Sequence, residues 1–471
     1  MSETLHYDIL IIGSGPAGQK AAIQGAKAGK RVAVIERDLE VGGACVHHGT
    51  IPSKTLRESA LNMLRLKRTA GVFDFKLRDD LKVKSLTQRL DHVVKAHSRF
   101  IADQIHRNGV TRYHGRGRFL SDREVQVSLT NRTIQRLTAD IIVVATGSRP
   151  RKPDNIPVDH EHILDSDSIL SLTYLPKSLT VLGGGVIASE YASFFSLLGV
   201  QVTMIDQADR PVRFMDAELT DGFVQAFEAD GGTYHGNQTI AEAKWDGLSK
   251  VVTVLGNGEV IEGEKMLMAL GRVANIEDLQ LEAAGVKPTP RGLIPVDQHC
   301  RTSVPHIYAV GDVIGPPSLA SCSMEQGRRA VCHALGIDPG GSPETVPMGI
   351  YTVPEMSSVG ISEEEAVTRF GGAIVGRSRF NEIARGQISG MTDGLLKMVA
   401  DPCGKKLLGV HIVGEGATEL VHIGQMGLLA QMEIDSFVEN IFNFPTLGEA
   451  YRVAALDIAK QRKPGPSAPP S

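Results

Sequence analysis

One pattern occurs twice in the chain and constrains its fold more than any other feature. Residues 7–13, YDILIIG, are an apolar run with the length of a buried strand. The turn Gly13-Ser-Gly15-Pro-Ala-Gly18 follows, then an alanine-rich helical stretch, then a second strand over 31–35 that ends at Glu36. Residues 179–184, LTVLGG, begin the same succession: the turn Gly183-Gly-Gly185-Val-Ile-Ala188, a helical stretch to Leu198, and a strand over 200–205 that ends at Asp206. The first glycine and the acidic residue are 23 positions apart in both copies. A lone GxGxxG is weak, because tight strand-to-helix turns are common. Here both copies follow a strand, open a helix and carry the acidic residue at the expected distance. The first glycine makes the turn, the second lets the backbone approach a pyrophosphate, and the third packs helix on strand. The helix N-terminus then turns its partial positive charge on the phosphates, and Glu36 and Asp206 are placed to bind ribose hydroxyls. Two βαβ units of one design predict two dinucleotide sites.

Each unit closes with a similar strand, ADIIVVATGSRP at 139–150 and EKMLMALGRVANI at 264–276, and IYAVGDVIG follows at 307–315. From 349 to 460 the character changes: short strand-like runs (LLKMVA, LLGVHIVG) alternate with a long helical one (ATELVHIGQMGLLAQM), with no third glycine fingerprint. The expected fold class is α/β, with two Rossmann-like domains and a C-terminal α+β domain. The length of 471 residues suits this, at about 150 residues per domain. The glycine excess, 50 residues, fits phosphate-cradling turns. The final KPGPSAPPS reads as a disordered tail, taken as 461–471.

Charge and cysteine usage exclude other classes. A net charge of −4 gives no reason to expect nucleic acid or an anionic membrane as partner. Five cysteines without a CxxC make neither a disulfide framework nor a zinc site, so no metal is expected. The four cysteines Cys300, Cys322, Cys332 and Cys403 read as buried small apolar residues, and adjacent His47 and His48 as packed or solvated histidines. No stretch reaches the ~18 uncharged apolar residues of a membrane helix; the run at 178–205 is broken by Glu190. The N-terminus lacks a basic region and cleavage site of a secretory signal. A soluble, cytoplasmic protein is expected.

The segment Val41-Gly-Gly-Ala-Cys45-Val-His-His-Gly-Thr50-Ile-Pro-Ser-Lys54 adds a further marker. With Ala145-Thr146-Gly147, Tyr308-Ala-Val-Gly311-Asp312 and Pro445-Thr446-x-x-Glu449 it gives a sequence that resembles the FAD-dependent pyridine nucleotide-disulfide oxidoreductases over 5–460. The resemblance implies FAD in the first unit, NAD(H) or NADP(H) in the second, and a homodimer or higher homo-oligomer built on the last segment. The implied boundaries are 1–150 and 277–345 for FAD, 151–276 for NAD(P) and 346–460 for dimerisation. It also implies cofactor contacts at Gly13, Gly15, Gly18, Glu36, Arg37, Gly42, Gly43, Ala44, Cys45, Lys54, Gly117, Thr146, Gly147, Asp312 and Ala320. In the second unit the implied contacts are Gly183, Gly185, Ala188, Asp206, Arg210 and Gly271. Lys54 and Glu190, each by itself more often a surface charge, are by resemblance an ion pair near the flavin N5.

Two departures from that family bear on chemistry. Its disulfide reductases carry a second cysteine five positions after the first, where this chain has Thr50, and a histidine base before the Pro-Thr, where it has Phe444. A dithiol relay needs two sulfurs and a base; Cys45 and Glu449 remain without those partners. The pattern is similar to that of the soluble pyridine nucleotide transhydrogenases within the family. It implies hydride exchange between NADPH/NADP and NADH/NAD through bound FAD, ping-pong, with Lys54, Glu190, Thr50, Cys45, Phe444 and Glu449 around the reacting ring. The alternatives are an NAD(P)H:quinone reductase (diaphorase) and a non-catalytic redox-sensing flavoprotein dimer. Asp206 favours NAD(H) over NADP(H); Arg210 is the residue expected to meet a 2′-phosphate.

Overall fold

A computed structural model describes residues 4–73, 83–341 and 345–462. The first repeat is β1 (Leu5–Ile12), α1 (Pro16–Lys27) and β2 (Val32–Glu36). Next come α2 (Gly43–His47), α3 (Thr50–Phe73), α4 (Val83–Arg107), β3 (Thr111–Phe119), β4 (Glu124–Leu129), β5 (Ile134–Val144) and β6 (Ser148–Pro150). After β7 (Ile163–Leu164), the second repeat is β8 (Ser178–Leu182), α5 (Val186–Leu197) and β9 (Gln201–Ile205). It continues through α6 (Ala217–Ala229), β10 (Thr233–His235), β11 (Ile240–Trp245), β12 (Val251–Leu255), β13 (Val260–Gly263), β14 (Lys265–Met268) and β15 (Arg272–Ala274). β16 (Ile307–Ala309) and α7 (Ala320–Ala334) precede the last part. That part comprises β17 (Met348–Ile350), β18 (Met356–Gly360), α8 (Glu363–Phe370), β19 (Ile374–Arg379), α9 (Ala384–Ser389), β20 (Leu395–Ala400) and β21 (Leu407–Val413), then α10 (Ala417–Leu429), α11 (Ile434–Glu439) and α12 (Glu449–Gln461).

The repeat extends from sequence to topology. The first unit has the parallel order β3-β2-β1-β5-β16, and β4 joins β3 to β5 as an antiparallel meander. The second has the parallel order β10-β9-β8-β14-β7, with the meander β11-β12-β13 inserted at the same stage of the chain. In both, the first strand of the repeat has neighbours whose crossovers run in opposite directions. A crevice therefore opens at the strands' C-terminal ends, the place where such sheets bind ligands. The first sheet is completed by β16 only after the whole second unit has passed. The ribbon β6–β15 marks where the chain crosses out and back.

The apolar runs exist because both sheet faces are covered. Leu10, Ile12, Ala33 and Ile35 face one core, while Ile9, Ile11, Val32 and Val34 face another. Each leucine, isoleucine and valine among them contributes roughly 1.5–3 kcal/mol on burial. The last part is an antiparallel sheet, β17-β18-β21-β20-β19, with α10 and α12 packed on it. A buried ion pair fastens α3 to this part: Arg57 Nη2 lies 2.7 Å from Glu355 Oε1, and Glu355 Oε2 accepts from the backbone and hydroxyl of Thr418. Residues 463–471 of the expected tail lie outside the described residues. Its first two do not belong to it: Gln461 ends α12, and Arg462 donates to Asp435 at 2.5 Å and to the Gly404 carbonyl at 2.9 Å. Of the four cysteines expected to be buried, Cys332 is buried, Cys300 and Cys322 are partly so, and Cys403 is exposed; Cys403 lies in a polar turn, where no core forms.

Candidate active site

The two glycine turns have the same geometry. Gly13 and Gly183 take φ of +105° and +108°, a region that only glycine enters freely, and a side chain on either would strike the carbonyl of Ala145 or Ala269. Gly15 and Gly185 are the N-caps of α1 and α5; among the described residues neither cap has a side-chain hydrogen bond and nothing lies within 4 Å of where a Cβ would stand. Gly18 packs so closely that a Cβ would strike the Gly13 carbonyl, while the equivalent Ala188 is fully buried. Gly43 closes on the first turn, its Cβ position 2.9 Å from the Gly15 Cα. Two uncapped helix N-termini thus face open space at the two crevices, the arrangement an anion requires.

The acidic strand ends differ. Glu36 is gripped: its Oε2 accepts from the Ser14 backbone at 2.9 Å and hydroxyl at 2.5 Å, and Oε1 from Asp38 N–H at 3.0 Å. Asp206 has Gly184 where Glu36 has Ser14, so its carboxylate lies directly over the glycine Cα and accepts from Gln207 N–H at 2.8 Å. Burial pushes the Asp206 carboxyl above its ordinary value, against the pull of the Gln207 and Ala208 N–H groups and of Arg213. Arg213 is therefore the arginine whose charge reaches Asp206. Arg210 turns the other way, its Nη2 3.8 Å from Glu364 on α8. Arg37 is exposed beside Asp38, 3.8 Å away.

Of the residues expected around a reacting ring, Cys45, Thr50, Lys54 and Glu190 come together, with Tyr351 from farther along the chain. Lys54 Nζ is 2.7 Å from both carboxylate oxygens of Glu190, which is buried on α5. Glu190 Oε1 also accepts from the backbone N–H of Tyr351 at 3.0 Å, and Lys54 Nζ sits 4.9 Å from the centre of the Tyr351 ring. Burial pushes the Cys45 thiol up; the Thr50 hydroxyl and Lys54 charge pull it down, and Asp312 pushes it up. Thr50 stands at the start of α3 and its hydroxyl acts on the Cys45 thiol, so a hydroxyl occupies the place of a second sulfur. Asp312 accepts from Ser148 at 2.7 Å.

Other expected residues take these places. Ala44 lies in α2, Gly147 is a turn at φ +67°, Gly271 one at +95°, and Ala320 opens α7. Gly117 packs on Ile35 and Ile12. Phe444, 69% exposed, and Glu449, the first residue of α12, stand in the C-terminal part; among the described residues no hydrogen bond or ion pair joins them to Cys45, Thr50 or Lys54 within one chain. Tyr351, Arg213, Ser148 and Arg272 were not legible as site residues. Tyr351 contributes a backbone N–H and a ring from far along the chain, which no local motif announces.

FAD fits the first crevice on this chain's own features. Besides the uncapped α1 and the open space at Gly15, the Thr146 hydroxyl is buried beside the Gly13 turn with no partner among the described residues. A fold with two dinucleotide crevices and a thiol, lysine and carboxylate between them defines a two-nucleotide oxidoreductase. The chain belongs to the pyridine nucleotide-disulphide oxidoreductase family: that family's model matches residues 7–327 and its dimerisation domain matches 346–455. The family is FAD-dependent and acts with NAD(P)H. Relatives include a soluble pyridine nucleotide transhydrogenase of Mycobacterium tuberculosis, 41% identical over 97% of this chain and 98% of that one. Another, of Marinomonas sp., is 39% identical over 96% and 98%. Among solved structures, LpdA from Mycobacterium tuberculosis superposes with a TM-score of 0.88 at 28% identity, covering 96% of this chain and 99% of that one. The HOCl-induced flavoprotein disulfide reductase RclA from Escherichia coli gives 0.87 at 25%, covering 96% and 99%. No helix among the described residues is long and apolar enough to cross a membrane.

Proposed function

We propose that this chain exchanges hydride between NADPH/NADP and NADH/NAD with FAD as its bound cofactor, as a cytoplasmic homodimer. The observation that carries the reading is Thr50 on Cys45. The side chain that acts on the thiol from the position of a second sulfur is a hydroxyl, and with Phe444 at the base position a disulfide substrate finds neither a second sulfur nor a proton carrier. The transhydrogenase relatives named above support it. FAD, when bound, supplies a ring that takes hydride from one nicotinamide and gives it to another.

The protein's own work is then binding, orientation and charge. The α1 and α5 N-termini take the two pyrophosphates, and Glu36 and Asp206 the riboses. Lys54, held by Glu190, keeps a positive charge in the cavity. Asp206 repels a 2′-phosphate, and Arg213, 66% exposed and held only by an exposed ion pair with Asp209 at 3.4 Å, is the cation that can turn to pair with one. The FAD domain is read as 1–150 with 277–345, the NAD(P) domain as 151–276 and the dimerisation domain as 346–460; the place of β16 in the first sheet supports the split. On the last domain Met426, Leu429, Ile441 and Phe444 are exposed, and a groove of about 490 Å³ runs past Ile423, Met426, Phe437 and Phe442. That apolar surface supports a second copy as the partner.

The test is steady-state reduction of a thio-NAD analogue by NADPH beside a quinone panel. Parallel double-reciprocal lines, with turnover above that of the quinones, are expected. Quinone turnover far above that of thio-NAD makes the chain a quinone reductase instead.

A further inference from the structure

We infer that Arg272 is a positioning residue for Asp312, acting through the hydroxyl of Ser148. The inference rests on the reading of the first crevice as the FAD site and adds a part to it. Ser148 Oγ donates to Asp312 Oδ2 at 2.7 Å. Arg272 Nε donates to the same Oγ at 2.8 Å, and its Nη2 donates to the Ser148 backbone carbonyl at 2.8 Å. The three residues lie on β6, on β15 and in the short 3-10 turn Gly311–Ile314, so the chain of bonds spans sequence separations of 124 and 164.

The chemistry of the groups fixes its direction. A guanidinium only donates, a carboxylate only accepts, and a hydroxyl has one proton and two lone pairs. Arg272 therefore fills the acceptor side of Ser148 and leaves its single proton for Asp312. Because the arginine is planar and holds both the hydroxyl and the carbonyl of one residue, it sets the serine rotamer as well as its proton. With Oδ2 so held, the rotation of the Asp312 carboxylate is set, and with it the direction of Oδ1. The carboxylate's charge reaches the Cys45 thiol, as does that of Lys54. Ser148 is buried, so water does not substitute for the missing partner without cost.

Arg272 comes from the other unit. It follows Gly271 on the strand that returns from the nucleotide domain, and β15 pairs antiparallel with β6, where Ala274 opposes Ser148. Its charge also acts on Asp167, as does that of His48. A residue of the second unit's return strand thus orients a carboxylate of the first unit's cavity.

The test measures FAD binding to apo-protein by quenching of flavin fluorescence, with no nicotinamide nucleotide present. Ser148→Ala is expected to weaken FAD about tenfold, the loss of one bond to a charged group. Arg272→Met should weaken it by no more than that, and the double variant should bind as Ser148→Ala does, because the residues act in series. Arg272→Lys should behave as Arg272→Met, since an ammonium cannot hold the hydroxyl and the carbonyl together. The visible spectrum of bound flavin in Ser148→Ala should move toward that of Asp312→Asn. Multiplying effects in the double variant, or a Ser148→Ala or a folded Arg272→Met that binds as wild type, overturn the inference. If Arg272→Met does not fold, Ser148→Ala in an Asp312→Asn background decides, with no further loss expected and a further tenfold loss overturning it. Wild-type protein that binds no FAD sinks the flavin reading itself, a result distinct from either.

Discussion

Lys54 meets Glu190 symmetrically, its ammonium 2.7 Å from each carboxylate oxygen, with the lysine 25% exposed and the glutamate 4%. The pair joins α3 to α5 and so the two nucleotide units to each other. A tie between units and a charge beside the ring are different roles, and they separate by mutation. Lys54→Met strands a buried carboxylate, which costs about 3–5 kcal/mol in such settings. Lys54→Met with Glu190→Leu removes both charges and should recover most of that stability. If the lysine also serves the chemistry, flavin reduction by NADPH in stopped flow stays slow in the double variant. A double variant that regains both stability and rate confines Lys54 to a structural role.

Cys45 should titrate as a slow free thiol. Burial holds its pKa up, so its reaction with a thiol reagent at neutral pH lags that of the exposed Cys403, and it quickens only as pH rises past the ordinary thiol value of 9.0. On reduction the protein should bleach without a long-wavelength thiolate-to-flavin band. Thr50→Cys places a second sulfur where the hydroxyl now meets Cys45. The oxidised variant is expected to lose two titratable thiols, and its reduced form to gain the band. A band in the wild type overturns this account of the site.

Nucleotide preference should follow Arg213 rather than Arg210. Arg213→Ala removes the cation near Asp206 and is expected to raise the KM for NADPH roughly tenfold, the scale of a charge-assisted hydrogen bond, with little change for NADH. Arg210→Ala touches Glu364 instead and should move neither by more than about twofold, the scale of an exposed ion pair. Asp206→Asn should weaken NADH and spare NADPH. Initial rates with both donors check all three; an Arg210→Ala that selectively loses NADPH reverses the assignment.

The glycine fingerprints were legible because a strained φ and a close approach leave no other residue acceptable, as Gly13 and Gly183 show. Strands buried on both faces were legible as unbroken apolar runs. The missing second sulfur was legible for a similar reason, since Thr50 cannot imitate its chemistry. What stayed hidden depends on side-chain direction. Arg210 and Arg213 are three positions apart on one turn, and only the fold shows that the first reaches Glu364 on α8 while the second pairs with Asp209 and brings its charge to Asp206. Ser148, Arg272 and Tyr351 meet the site through contacts 124 or more residues apart, where periodicity carries no information.

A buried lysine with three acidic partners ties α6 to the C-terminal sheet and gives the last prediction. Lys397 on β20, 3% exposed, lies 2.9 Å from Asp216, 3.1 Å from Glu218 and 2.8 Å from Glu363. Burial alone would lower the lysine, but Glu363, Asp216 and Glu218 override it and hold it above its ordinary value. Glu218 also pairs with Arg377, and chiefly that bond, with Lys397 in support, brings its carboxyl from 4.5 down to about 2. A carboxyl depressed on folding binds fewer protons in the native state than in the unfolded one. Its contribution to stability is therefore complete above pH 4.5 and is lost as the pH falls toward about 2. Glu218→Gln should destabilise by on the order of 1 kcal/mol near neutrality, a modest value because Glu218 is partly exposed and screened. The gap between variant and wild type should narrow steadily through that acid window. Urea denaturation of both proteins near neutrality and at about pH 3 checks it, and a gap that stays constant into acid would show that Glu218 acts by packing rather than by charge.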